Sequence, residues 1–287
     1  MELLDFTAHY SEDIMYSHMH FTSVGDYSVK THTHEIFEFL FFEKGNALYT
    51  VEGKTYSLSR NNLIITRPGD RHSITIENNS VYKRYDVLFD ENNLFPDVES
   101  FISKDIDVIN FDGNNTVIQI FKKMNFYSEH FDSEELRKIL FNLVEEIFYN
   151  IKISENVQDY SENQYIRKAL EYIEENLTKN IDIPSLCRKL YISKSYLHKL
   201  FAKHMQITPK KYILSKRLNL AQRALRAGEK PTDVYTQCGF SDYSAFYRDY
   251  VKRFKTSPSN EINRNISHEI LSWFENVIYG QIYEFTE

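Results

Sequence analysis

At 287 residues the chain is about twice a typical domain length, so two domains are expected. A hydrophobic fraction of 42% with 15% aromatics excludes a disordered chain, and no run approaches the roughly 18 consecutive apolar residues of a membrane helix. The net charge of −7 is unevenly spread: residues 161–262 hold 19 Lys and Arg against 10 Asp and Glu, a net of +9, and the rest carries −16. A basic block inside an acidic protein points to one domain that meets a polyanion. The opening residues lack a basic end followed by an apolar run, so no signal peptide is expected and the protein is placed in the cytoplasm, without a membrane partner. Cys187 and Cys238 are too few for a disulfide framework and sit in apolar periodic patterns, as core thiols do.

In chain order, the first hundred residues read as strands. Short β-rich runs are cut by turn signals at Lys44-Gly45-Asn46, Glu52-Gly53-Lys54, Arg60-Asn61-Asn62 and Pro68-Gly69-Asp70. Strands at this spacing make a sandwich or a barrel. Alternation is clear over Ala47-Leu48-Tyr49-Thr50-Val51. From about Asn115 the period becomes helical: Val117, Ile120, Phe121 and Met124 share one face, and Leu136, Leu140, Leu143, Val144, Ile147 and Phe148 another, with Ser133 as the expected N-cap. The polar residues 154–161 are the expected linker, and the chain beyond reads as helical.

Two units in the C-terminal half share one plan. Leu186, Cys187 and Leu190 form a short helix face, Tyr191-Ile192-Ser193 breaks it, and Ser193 caps a second helix, KSYLHKLFAKHM. Later, Val234, Tyr235 and Cys238 precede the break Gly239-Phe240-Ser241-Asp242 and then YSAFYRDYVKRF. Helix, short turn and polar second helix is the helix-turn-helix plan, whose second helix enters the major groove. Between them about nineteen residues, 209–227, form one helix roughly 28 Å long, ending at Gly228. That length suits two recognition helices about one duplex turn, roughly 34 Å, apart.

The run Arg217-Leu218-x2-Ala221-x3-Leu225, Cys238-Gly239-Phe240-Ser241-Asp242, Phe246-x-Arg248, Lys252 and Ser257-Pro258 resembles the AraC/XylS regulator signature. Ser193, Tyr196-Leu197, Phe201, Thr208-Pro209 and Tyr212 extend the likeness over roughly a hundred residues. Gln206 and Lys255 stand where members usually carry glycine, at positions that often need φ > 0, and Tyr235 replaces a usual alanine. The resemblance implies base contacts from Ser195, His198, Lys199, Tyr243, Ser244 and Arg248. Tyr247 joins them on the outward face of its helix, and Lys194, also outward, is assigned with Lys210, Lys211, Lys216 and Lys252 to phosphate or to no contact.

In the N-terminal half, Gly25-x6-His32-x-His34-x3-Glu38-x6-Gly45 resembles the first cupin motif, and Pro68-Gly69-x2-His72 a weaker second one, with Asn62 in place of a usual glycine. In metal-binding cupins such a set converges on one ion, and imidazoles with a carboxylate suit Fe, Mn, Ni or Zn. Sensor barrels of the regulator family commonly keep the pattern without a metal. The expectation is therefore no cofactor, with His32, His34, Glu38 and His72 as hydrogen-bonded pocket or core residues. Tyr49 and Arg67 are assigned with them to an effector pocket, and Tyr56 and Tyr85 offer further ring faces.

The expected fold class is α+β and multidomain. It comprises a cupin-type β-barrel (1–112), a helical segment for dimerisation or barrel packing (113–153), a linker (154–161), an all-α domain with two helix-turn-helix units (162–262) and a helical extension (263–287). The extension carries an apolar stripe through Ile270, Phe274, Val277 and Ile282. The resemblance implies an activator of transcription, not an enzyme, that answers to a carbohydrate or related metabolite. Double-stranded DNA, the small-molecule effector, a second copy of the chain and RNA polymerase are its implied partners. The alternative is a metal-dependent cupin enzyme fused to a DNA-binding module.

Overall fold

The computed structural model describes residues 2–22, 27–77, 81–95, 101–102, 105–154 and 163–263. It divides into two compact units, one built on the first 161 residues and the other spanning Glu162–Asn265. Beyond Ser154 the expected linker lies outside the described residues, as does the extension beyond Asn263.

The first unit is a two-sheet antiparallel barrel. Its strands are β1 (Glu2–Tyr10), β2 (Ile14–Thr22), β3 (Tyr27–His32), β4 (Phe37–Lys44) and β5 (Ala47–Val51). They continue with β6 (Lys54–Leu58), β7 (Asn62–Thr66), β8 (His72–Ile76), β9 (Val81–Phe89) and β10 (Val108–Asn110). One sheet has the order β1-β2-β9-β4-β7-β10 and the other β3-β8-β5-β6. The expected turn sites supply φ > 0 residues: Glu52 and Gly53 close the β5–β6 hairpin, and Gly45, Asn61 and Gly69 lie where the chain passes from one sheet to the other.

The two sheets read differently in sequence for a physical reason. The larger sheet is covered on its outer side by α1 (Thr116–Ser128) and α2 (Ser133–Ile153), so its central strands β2, β9, β4 and β7 are buried on both faces. In β4, Phe37, Phe39 and Phe41 pack outward with the helices, whereas Leu40 and Phe42 point into the barrel. The result is the unbroken apolar run FEFLFF. The smaller sheet has one side in solvent, so β5 alternates: Ala47, Tyr49 and Val51 are buried, and Leu48 is exposed.

The helix α2 is capped by Asp132, whose side chain accepts from the N–H groups of Glu134 and Glu135, one residue before the expected Ser133. Leu136, Leu140, Val144, Ile147 and Phe148 are fully buried. Phe148 meets the rings of Phe37, Phe39 and Phe89. Each such side chain contributes about 1.5–3 kcal/mol of burial. The stripe is thereby consumed on the chain's own barrel, and a second copy would have to meet other residues.

The second unit contains α3 (Gln164–Glu175), α4 (Ile183–Leu190), α5 (Lys194–His204), α6 (Pro209–Arg226), α7 (Pro231–Gln237) and α8 (Tyr243–Phe254). A short 3-10 turn, Pro258–Asn263, follows. Side-chain caps open the helices where the sequence places them: Ser193 for α5, Thr208 for α6 and Asp242 for α8. Two separate cores result. Ile166, Leu186, Leu197, Phe201 and Tyr212 belong to one, and Leu218, Leu225, Val234, Phe246 and Tyr250 to the other. Because α6 contributes to both, it is the beam on which the two units are mounted. Gln206 and Lys255 take φ of 53° and 58°, the left-handed conformation expected of the glycines they replace.

Candidate nucleic-acid interface and barrel cavity

On α5 the buried stripe of Leu197, Leu200 and Phe201 leaves Lys194, Ser195 and Lys199 exposed and His198 half-buried. On α8, Phe246, Tyr250 and Phe254 turn inward, leaving Ser244, Tyr247 and Arg248 exposed. Tyr243 is half-buried, since its ring packs on Tyr235 at 5.4 Å and on Phe246 at 5.9 Å. Lys199 and Arg248 have no hydrogen bond or ion pair among the described residues, so both cations are available to an anion or a base edge. Lys210, Lys211 and Lys252 are also exposed, whereas Lys216 stands over the Tyr212 ring. The sequence reading missed Tyr191, which is 95% exposed in the first turn with φ 55°. The sequence places it in the break after Leu190, as the structure does, but nothing local marks that turn residue as a candidate for contact.

The barrel interior holds a cavity of about 30 Å³ lined by Tyr27, His32, Glu38, Tyr49, His72, Tyr82 and Arg84 among apolar residues. Strand register makes the cluster. His32 on β3 pairs with His72 on β8, and their rings lie 4.2 Å apart. Glu38 on β4 faces inward like Leu40, and Tyr49 on β5 donates to or accepts from Thr66 Oγ1 at 2.7 Å. Gly25, the first residue of the expected motif, lies outside the described residues.

Each imidazole is fixed by a backbone carbonyl. His32 Nδ1 meets Lys30 O at 3.0 Å, His34 Nδ1 meets Ile36 O at 2.9 Å, and His72 Nδ1 meets Asp70 O at 3.0 Å. A carbonyl only accepts, so each Nδ1 carries the proton and each Nε2 of a neutral ring presents a lone pair. The Nε2 atoms of His34 and His72 lie 3.2 and 3.3 Å from the same oxygen, Glu38 Oε2. Burial pushes His72 down to about 3 and lowers His32 as well. Burial opposes a charged His34, yet the bond to Glu38 outweighs it and raises that imidazole. Burial likewise opposes a charged Glu38, but His34 and the neighbouring imidazoles hold it well below the usual range. Beside the cluster, Arg84 pairs with Asp86, whose carboxyl is pushed up by burial and by the charge of Glu38.

The expected hydrogen-bonded pocket is only partly what forms. His34 is satisfied on both nitrogens, but the buried Nε2 atoms of His32 and His72 have no hydrogen-bond partner. Arg67 is a correction: it does not line the cavity. It lies just past the end of β7, and its guanidinium reaches Asp107 Oδ1 at 2.9 Å and Ile106 O at 2.6 Å. Lys54 and Tyr56 meet the same Asp107 carboxylate. Tyr85 faces the helices, stacked on His18 at 4.6 Å. Arg84 and Tyr82, which the sequence reading passed over, take the places on the wall. The signal was present: Arg84 and Asp86, two residues apart in an apolar strand, share its inward face.

Two protein-family models match the chain. The model described as an AraC-like ligand binding domain covers residues 19–105, and a helix-turn-helix domain model covers residues 186–264. Over 89 residues the chain is 36% identical to the probable transcriptional regulator LumQ of Photobacterium leiognathi, which is 31% of this chain and 36% of that protein. Over 247 residues it is 25% identical to the HTH-type transcriptional activator RhaS of Yersinia pestis bv. Antiqua, covering 79% of this chain and 86% of that one. Among solved structures, ToxT from Vibrio cholerae O395 is similar over 88% of this chain and 98% of its own, at 14% identity and a TM-score of 0.36. The two family models fall one in each compact unit and together take in more than half of the residues. The chain belongs to the AraC/XylS family of DNA-binding transcription regulators with an N-terminal ligand-binding domain.

Proposed function

We propose that the protein is a sequence-specific activator of transcription, working in the cytoplasm as a homodimer that recruits RNA polymerase when an effector occupies the barrel. The observation that carries this reading is the basic second unit, where two independently cored helix-turn-helix units share the single beam α6. Ser195, His198, Lys199, Tyr243, Ser244 and Arg248 are assigned to base edges, and Lys194 and Tyr247 to the flanking backbone or bases. Activation is supported by the relatives named HTH-type transcriptional activator. The relatives named are regulators, which supports a binding role for the barrel over an enzymatic one.

The effector is assigned to the face formed by His32, His34, Glu38, Tyr49 and His72, with a carbohydrate or related metabolite as its class. Ring faces and hydrogen-bonding groups side by side suit such a ligand. A cavity of about 30 Å³ admits a sugar-sized molecule only if its walls move apart. The test is footprinting of the full chain on its own upstream region, with and without candidate sugars, over a range of salt. Protection of two adjacent major grooves, strengthened by one sugar and falling steeply with salt, is expected. Binding that is indifferent to sequence would overturn the assignment.

A further inference from the structure

We propose that Tyr191, in the turn of the first helix-turn-helix unit, is a DNA-backbone contact whose phenol O–H donates to a phosphate oxygen at the edge of the major groove. The contact rests on the reading of the second compact unit as DNA-binding. Its two turns are built alike. In the first, Tyr191 N–H bonds to Arg188 O at 3.2 Å and Ile192 N–H to Cys187 O at 3.1 Å. In the second, Gly239 N–H bonds to Thr236 O at 3.0 Å and Phe240 N–H to Tyr235 O at 2.9 Å. Tyr191 and Gly239 are therefore equivalent positions, and both are left-handed, at φ 55° and 81°. Such backbone favours glycine, and a tyrosine adopts it only under strain.

Nothing among the described residues offsets that strain. Tyr191 is 95% exposed, and its side chain has no hydrogen bond, ion pair or ring contact among them. Tyr196, by contrast, is anchored edge-on against Tyr165 at 5.9 Å. The place of Tyr191 in the motif supplies a partner. The first helix of such a unit crosses the DNA backbone, and the N-terminal residues of the second reach the bases. Tyr191 directly follows α4 and precedes Ser193, the cap of α5, by two residues, so it stands where the backbone bordering the groove must pass. The exposed cations Arg188, Lys189 and Lys194 flank it in the chain and draw phosphate to this edge, while Asp182, the acidic cap of α4, is turned to Ser185 Oγ at 2.7 Å. A phenol has few torsions to immobilise, and its hydrogen bond to a charged oxygen is stronger than one to a neutral acceptor. The second turn has no room for such a group, since a Cβ on Gly239 would meet the Leu177 carbonyl at 2.9 Å. The contact belongs to the first unit alone.

The full chain is titrated onto its own upstream region and onto a scrambled duplex over a range of salt. Tyr191→Phe keeps the ring and the backbone and should weaken binding to both duplexes about tenfold, the worth of a hydrogen bond to a charged group. Its salt dependence should match that of the unaltered protein, because a neutral phenol displaces no counterion, whereas Lys194→Ala should flatten the dependence by about one ion. Tyr191→Gly should lose the same binding and yet raise the melting temperature, since it relieves the left-handed strain. A residue that served the turn alone would move stability and binding in the same direction. Tyr191→Phe and Tyr191→Gly proteins that bind as tightly as the unaltered one would overturn the contact. So would unchanged binding with a loss of transcription in vitro, which would give Tyr191 to RNA polymerase instead. Lys199→Ala on the same duplexes separates the contact from the reading beneath it. If no variant, Lys199→Ala included, alters binding, the assignment of the second compact unit fails; if Lys199→Ala weakens it and Tyr191→Phe does not, only the Tyr191 contact fails.

Discussion

Gly239 lies against Arg217 where the two helix-turn-helix cores adjoin, so closely that a Cβ on Gly239 would stand 3.0 Å from Arg217 Nε and 2.9 Å from the Leu177 carbonyl. Arg217, midway along α6, donates from Nε to Leu177 O at 2.8 Å and from Nη2 to Lys179 O at 2.6 Å. The turn of the second unit is thus seated on a latch that holds the loop before α4. Gly239 also has φ +81°, which strains any other residue. Gly239→Ala should therefore destabilise the protein by about 2–4 kcal/mol, the sum of left-handed strain and overpacking. Chemical denaturation reads the loss, and an unchanged midpoint would mean that the two units are not locked through this contact.

Gln206 and Lys255 invite the opposite experiment. Both are exposed, and both hold left-handed φ values at helix ends, at 53° and 58°. Left-handed geometry costs a non-glycine residue about 1–2 kcal/mol, of which glycine's larger unfolded-state entropy returns a part. Gln206→Gly and Lys255→Gly should each stabilise by about 0.5–1 kcal/mol, additively, because the two sites serve different cores. Melting curves of the single and double variants decide it; lower melting temperatures would show that the side chains make contacts worth more than the strain.

Recognition separates from simple attraction by substitution on the exposed helices. Arg248→Ala and Lys199→Ala should each cost about 1–3 kcal/mol of operator binding and relax the preference at one base position, if each donates to a guanine edge. Lys211→Ala, at the start of α6, should weaken every sequence alike and flatten the salt dependence by about one ion. Base-preference matrices for the three variants provide the measurement. An Arg248→Ala matrix identical to that of the unaltered protein would remove α8 from the reading of bases.

What the sequence made legible depended on how local the cause was. Ser193, Thr208 and Asp242 announce their helices because a cap acts within three residues. The left-handed sites at Gln206 and Lys255 were readable only through the resemblance, whose members usually carry glycine at those positions. Arg67 was misplaced because its partner Asp107 lies 40 residues away, on a strand edge that no periodicity locates. Tyr85 was misplaced because the larger sheet is buried on both faces, so alternation no longer distinguishes the barrel interior from the helix-covered side. The tautomers of His32, His34 and His72 were beyond sequence altogether, since they are set by carbonyls whose direction only the folded strands define.

His18 gives the protein an acid sensitivity whose sign can be worked out. On β2 it is 3% exposed, stacked on Tyr85, and neither ring nitrogen has a hydrogen-bond partner, although Asp5 Oδ2 stands 3.3 Å from Nδ1. Burial lowers its pKa from 6.5 to about 4; Asp5 pulls the other way and Lys83 adds to the lowering. The folded protein therefore keeps His18 neutral where the unfolded chain has already taken up a proton. Above pH 6.5 neither state is charged and nothing is lost. As pH falls from 6.5 toward 4 the unfolded state binds the extra proton, so stability declines, by about 2–3 kcal/mol in all if His18 acts alone. Below that range both states are charged and the loss levels off. His18→Gln should be the less stable protein at neutral pH, through lost packing, but its unfolding free energy should gain on that of the unaltered protein by this amount between pH 7 and 4. Denaturant titrations of the pair at several pH values isolate His18 from the other histidines, because those are common to both. A difference that stays constant across the range would show that the imidazole is charged, or solvated, in the folded state.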